Sequence, residues 1–343
     1  MQVVPNYYSP FFMKKFLYIF TLPLILVGCS NSTVIETDLP TDVQVSNSAE
    51  VQTNIVTSFY PLAFMAEQIV GEKATVINLA GAFDVHDYEP SPQDLVKITT
   101  ADLVIYQGAQ LEPWIYDVIP ELDVPTLEVT HELGLSTMEE SNKHDSEDEH
   151  NDHEEEGHDD DEDEHDEHNH GEFDPHTWLD PVLAQQMVDQ ILTEVIKIDT
   201  ANEDLYTVNA EILKNRFAKL DQNFITNLGN CSVDEVITSH DAFGYIAKRY
   251  NFTIHAIAGL STQDEPSAKV LANLKKEAAE GVTHILIEKN SIIRYAETLA
   301  NETGLAVLSV NPLGKGVLDP NKDFFDVMQE NLNSFSIALN CQL

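Results

Sequence analysis

Eight short apolar, β-branched runs separated by helical patterns constrain this chain more than any other feature. The first four cover residues 54–57, 74–79, 103–106 and 126–129; the second four cover 235–238, 252–257, 284–287 and 306–309. Between the first two runs, Leu62, Met65, Ala66, Ile69 and Val70 recur at helical spacing. Apolar strands joined through helices form parallel sheets covered on both faces. The expected fold class is α/β, with two βα lobes.

A helical stretch separates the two halves. Asp180-Pro181 pairs an N-cap residue with a proline at the first helical position. Ala184, Met187, Val188, Ile191, Leu192 and Val195 then share one face. A second helix is predicted from about Glu203 to Leu228, on the spacing of Leu213, Phe217, Leu220, Phe224 and Leu228. At ~1.5 Å per residue it is a rod of roughly 39 Å, long enough to run the height of both lobes. So stiff a connector limits any closing motion. The predicted organisation is an N-terminal lobe over 53–180, connecting helices over 181–228 and a C-terminal lobe over 229–343.

Charge excludes one class of partner. With 18 Lys+Arg against 59 Asp+Glu the net charge is −41, and a nucleic-acid binder needs a basic face. The acid is concentrated: residues 144–172 hold 17 Asp/Glu, 7 His and no Lys or Arg. Such a run repels itself and has no apolar face, so it reads as a mobile loop; its interspersed imidazoles suggest weak zinc collection rather than solvation alone.

The first residues read as an address. Lys14 and Lys15 precede an apolar run over 16–27, short for a bilayer span and of signal-peptide length. The run ends in Leu26-Val27-Gly28-Cys29, which resembles a bacterial lipobox. That resemblance implies cleavage of residues 1–28, lipidation of Cys29 and a place outside the cytoplasm, anchored to a bacterial envelope membrane. Met13 is an alternative start. Residues 29–52 read as a flexible tether. Cys231 and Cys341 then remain, an even pair that one disulfide would join outside the cytoplasm, the alternative being two reduced thiols.

Parallel βα units place ligands at the carboxyl ends of their strands. There stand His86 after the second strand, His240 after the fifth, Glu288 after the seventh and Asn311 after the eighth. His176, just before the connecting helices, can face the same crevice. Three converging imidazoles suit Zn2+, with ordinary proton competition near pH ~6.5. His131, His255 and His284 have no comparable context and read as surface or core residues.

The motifs around these residues carry a family likeness. They are Ser58-Phe59-Tyr60-Pro61-Leu62, His86-Asp87-Tyr88-Glu89-Pro90, Asp174-Pro175-His176-Thr177-Trp178-Leu179-Asp180-Pro181, Ser239-His240-Asp241-Ala242-Phe243, Glu265-Pro266-Ser267 and Asn311-Pro312-Leu313-Gly314. In order and spacing, residues 53–343 resemble the zinc- and manganese-binding lipoproteins of ABC importers, most closely the ZnuA-type zinc branch. The resemblance implies two βα lobes joined by a long helix, a metal site in the crevice between them, and metal ligands at His86, His176 and His240. Manganese-type members place a carboxylate where His240 stands, so His240 favours zinc. The fourth position is commonly an aspartate before Pro-Leu-Gly, and here it is Asn311, a weak neutral ligand. Water or Glu288 is the alternative. Zinc-branch members also carry a His- and acid-rich insertion before the second ligand motif.

The implied function is capture of Zn2+ by a monomeric, extracytoplasmic, lipid-anchored component that delivers it to a membrane permease. Its ATPase is a separate protein, because no phosphate-binding Gly-x-x-x-x-Gly-Lys-Ser/Thr motif occurs here. Two other classes use the same residues. One is a surface adhesin or metal buffer. The other is a three-histidine zinc metallohydrolase, which would need a positioned general base, and the His-Glu-x-x-His motif is absent. The chain is therefore expected to be no enzyme.

Overall fold

A computed structural model describes residues 52–135, 173–260, 265–288 and 293–342. The leader over 1–28, the lipidation site Cys29, the tether up to residue 51 and the acid-rich segment 144–172 lie outside the described residues.

All eight predicted strands form. β1 (Thr53–Thr57), β2 (Ala74–Asn78), β3 (Leu103–Tyr106) and β4 (Thr126–Glu128) make one parallel sheet in the order β2-β1-β3-β4. β5 (Glu235–His240), β6 (Thr253–Ala258), β7 (His284–Glu288) and β8 (Ala306–Val310) make a second, in the order β6-β5-β7-β8. The two sheets thus share one topology. In each, the winding reverses beside its first strand, between β1 and β3 and between β5 and β7, where a doubly wound sheet opens a crevice.

Nine helices are described: α1 (Tyr60–Val70), α2 (Pro92–Thr99), α3 (Ile115–Val118), α4 (Pro181–Ile198), α5 (Glu203–Leu228), α6 (Gly244–Tyr250), α7 (Ala268–Glu280), α8 (Ile293–Thr303) and α9 (Phe324–Ala338). α4 starts as its sequence dictates. Asp180 accepts from the backbone N–H groups of Val182 and Leu183, and Pro181 has no N–H to satisfy.

The long helix α5 holds the molecule together. It buries Tyr206, Ala210, Leu213, Phe217, Leu220, Phe224 and Leu228 along one stripe. Phe217 packs against Phe324 and Phe325 with ring centroids 5.5 and 4.9 Å apart, and Phe64 of α1 stacks on Phe324 at 5.4 Å. One aromatic cluster therefore joins a helix of the first lobe, the rod and a helix of the second lobe. Truncating Phe217 to alanine would cost roughly 3–5 kcal/mol. A smaller cluster, including Ile237, Ile257, Leu274, Ile285 and Leu299, seals β5, β6 and β7 against α7 and α8.

A disulfide joins Cys231 to Cys341, across a sequence separation of 110 residues. Backbone bonds from Val233 N to Leu339 O (3.0 Å) and from Gln342 N to Asn230 O (3.0 Å) flank it, tying the segment after α5 to the end of the chain. Among the described residues, no helix is long and apolar enough to cross a membrane.

Candidate metal centre

The carboxyl ends of both sheets face one crevice, and three imidazoles meet there. His86 lies in a single 3-10 turn, Val85–Asp87, capped by Asp84, whose Oδ1 accepts from His86 N at 3.1 Å. The turn is held to the second lobe by Val85 N donating to Gly314 O at 3.2 Å, and by Lys315 Nζ, 3.3 Å from Asp84 Oδ2. Gly316, with φ of 74°, closes this loop against Tyr60: a Cβ there would lie 3.1 Å from the Tyr60 Cβ.

His176 precedes the turn Thr177–Leu179 and is fully buried. Its Nδ1 lies 2.8 Å from Asp174 Oδ1. The carboxylate can only accept, so Nδ1 carries the proton and Nε2 keeps its lone pair. Asp174 is itself positioned, since its carbonyl accepts from Tyr245 OH at 2.8 Å. The segment is braced further by Gln107 Nε2 donating to Pro175 O (2.6 Å) and by Trp178 Nε1 donating to Pro312 O (2.7 Å).

His240 is the last residue of β5 rather than a residue beyond it. The strand runs two residues further than expected because His240 still pairs with Ala258. Its side chain is 2% exposed, Nδ1 lies 3.5 Å from Glu288 Oε2, and Nε2 is buried with no hydrogen-bond partner among the described residues. Glu288 likewise ends β7, so these two residues flank the reversal point of the second sheet.

One ring nitrogen from each of His86, His176 and His240 lies within 4.8 Å of the others. His86 Nε2 and His176 Nε2 are 3.3 Å apart. That matches the edge of a tetrahedron around an ion with bonds of ~2.0–2.1 Å, about 3.3 Å.

Protonation favours the same chemistry. Burial, then the neighbouring His176, lowers His86 to about 4. Burial, followed by His176 and His86, holds His240 well below the usual imidazole value. The expectation of proton competition near 6.5 is therefore corrected for these two rings, because desolvation penalises the imidazolium. Glu288 moves the other way: burial, then the charge of Asp84, pushes it up to about 7.

Asn311 is used differently. Its Oδ1 accepts from Leu313 N at 2.8 Å, and its own N–H donates to Asn331 Oδ1 at 2.8 Å. The amide holds a turn, while the buried carboxylate of Glu288 lies 3.5 Å from His240 Nδ1. Sequence patterning alone does not mark Asp174 as the partner of His176, although the spacing Asp-x-His is a signal for it. His131 is exposed and His284 Nδ1 pairs with Thr283 Oγ1 at 2.7 Å, away from the cluster. His255 is not solitary; it meets two carboxylates elsewhere on the second lobe.

Comparison with known proteins agrees with this architecture. Residues 55–338 match the family described as zinc-uptake complex component A, periplasmic (ZnuA). The chain is 34% identical over 322 residues to the high-affinity zinc uptake system protein ZnuA of Bacillus subtilis, covering 92% of this chain and 94% of that one. It is 31% identical to the zinc-binding lipoprotein AdcA of Streptococcus pneumoniae, covering 91% of this chain but 58% of that longer protein. The structure of the laminin-binding protein of Streptococcus agalactiae, described as bifunctional with adhesin and metal-transporting activity, aligns with a TM-score of 0.69 and 28% identity. It covers 84% of this chain and 99% of that one. With a family match over most of its length and a relative at 34% identity, the chain belongs to the ZnuA family of zinc-uptake solute-binding proteins.

Proposed function

We propose that this chain captures one Zn2+ between His86, His176 and His240, with Glu288 as the fourth, anionic ligand, and delivers it to a membrane permease. The family is one of solute-binding components of transporters, so the three-histidine cluster serves binding, not hydrolysis. The observation that carries the ligand assignment is the convergence of three largely buried imidazoles from three separate segments. Two of them are held neutral by burial, and neutral nitrogen is the form that binds a metal.

Each donor has a distinct task. Asp174 fixes the tautomer of His176. Glu288 supplies negative charge to a site otherwise built from neutral rings, and three nitrogens favour zinc over manganese. The permease and its ATPase are separate chains. Attachment through a lipidated Cys29 and action as a monomer complete the proposal; the leader pattern over 14–29 supports the first. The likeness to the S. agalactiae protein favours a second, surface-binding role beside capture.

Zinc titration of the purified chain tests the assignment. Wild type should show one tight equivalent that is strongly weakened by His86→Ala, His176→Ala or His240→Ala. Unchanged tight binding in the His240→Ala variant would overturn it. Zinc-limited growth of a deletion strain tests delivery, and unchanged growth would leave only the surface role.

A further inference from the structure

We infer that the second lobe carries an additional divalent-cation site built from Glu235, His255 and Glu277, separate from the crevice. Glu235 opens β5, His255 lies on the adjacent β6, and Glu277 comes from α7. In the parallel register Ile237 faces His255, so Glu235, two residues earlier, projects to the same side of the sheet. One ligand atom from each of the three side chains lies within 4.8 Å of the others, and all three residues are half-buried.

The distances suit an ion of the zinc class. His255 Nε2 is 3.3 Å from Glu235 Oε2, the separation of two ligands about a tetrahedral centre with bonds of ~2.0–2.2 Å. A surface ion pair is the simpler reading of that contact. It does not account for Glu277, which brings a second carboxylate to the same point from another element. Two carboxylates balance the charge of a dication, and the imidazole adds a nitrogen donor. An imidazole ligand favours Zn2+ over Ca2+ or Mg2+, which take oxygen donors. Water completes the coordination at this partly open position, so the site binds more weakly than the crevice.

It is also remote. Glu235 and His240 stand at opposite ends of β5, five residues or about 17 Å apart at ~3.3 Å per residue. Metal held at the outer site therefore shares no ligand with the crevice and loads independently of it.

Titration of the full-length chain with zinc chloride alone decides the matter, with His255→Gln and Glu277→Gln as probes and His284→Gln as the control. Wild type and the control should take up one equivalent more than either probe variant. A chain with His86, His176 and His240 all changed to alanine should keep that equivalent. Zinc-edge anomalous diffraction from zinc-soaked crystals should place a peak among the three side chains. Equal stoichiometry in wild type and both probe variants, or an equal loss in the control, would overturn the site.

Discussion

Asp174 Oδ1 receives both the backbone N–H and the ring Nδ1–H of His176, at 2.9 and 2.8 Å. This double contact makes the carboxylate a positioning group: it fixes where the ring sits and which nitrogen keeps a lone pair. Asp174→Asn replaces the charged acceptor by a neutral, weaker one and, with its amide turned over, presents an NH2 group to the ring instead. Zinc affinity should fall about 10–100-fold, the usual consequence of removing such a partner. Competition against a chromophoric chelator measures this, and an unchanged affinity would remove Asp174 from the site's machinery.

The pH dependence should follow Glu288 first. In the apo protein its carboxyl is raised to about 7, so above that value it is already ionised and adds no slope. Below about 7, zinc must displace its proton, and apparent affinity should fall about tenfold per pH unit. The His86 ring, lowered to about 4, adds a second proton only near that value. Glu288→Gln should bind more weakly at neutral pH yet lose the Glu288 share of the slope, leaving a shallower fall just below about 7. Stepwise titrations across pH 4.5–8 check this; an unchanged slope in the variant would assign the proton to another group.

The Cys231–Cys341 bridge closes a long loop and joins the segment after the rod to the end of the chain. Loops of this length are constrained most in the unfolded state, and loss of such a bond costs about 2–5 kcal/mol. The double change Cys231→Ser, Cys341→Ser should lower the urea midpoint by a corresponding amount. In a Cys29→Ser chain, denatured without reductant, maleimide labelling should find no free thiol; two free thiols would refute the bridge.

Much of this architecture was legible because its determinants are local. The rod α5 spans Glu203–Leu228 as its apolar spacing indicated, and Asp180-Pro181 starts α4. The motifs around His86, His176 and His240 marked the rings that meet in the crevice. What could not be read were pairings across the chain. Glu235, His255 and Glu277 are separated by 20 and 22 residues, and only strand register and the path of α7 bring them together. The engagement of Asn311 by Leu313 N likewise depends on a left-handed residue, Leu313 at φ 66°, which an apolar side chain does not advertise. Its place before Pro-Leu-Gly suggests a ligand; the hydrogen bond to Leu313 N adds a turn-holding role that the sequence did not show.

The His- and acid-rich run over 144–172 should act as a low-affinity collector for the crevice. Its 17 carboxylates draw cations, and its 7 imidazoles offer nitrogen that solubility alone does not require. The segment ends just ahead of Asp174-Pro175-His176 in the sequence, so ions captured on it would be released next to the second ligand motif. Binding to it must fix chain and side-chain conformations at each clamp, whereas the crevice holds its rings in place beforehand. Hence its equivalents should be weaker than the crevice equivalent and, if its charges are solvated, more sensitive to salt, which screens buried pairs much less. Deleting 144–170 should remove several weak zinc equivalents, keep the tight one, and slow loading at low zinc concentration. The His255→Gln change should remove only one weak equivalent, so the two effects are separable in the same titration. If calorimetry at low and high salt finds the same number of equivalents with and without the segment, the run is a solvated charge patch and the crevice fills directly from solution.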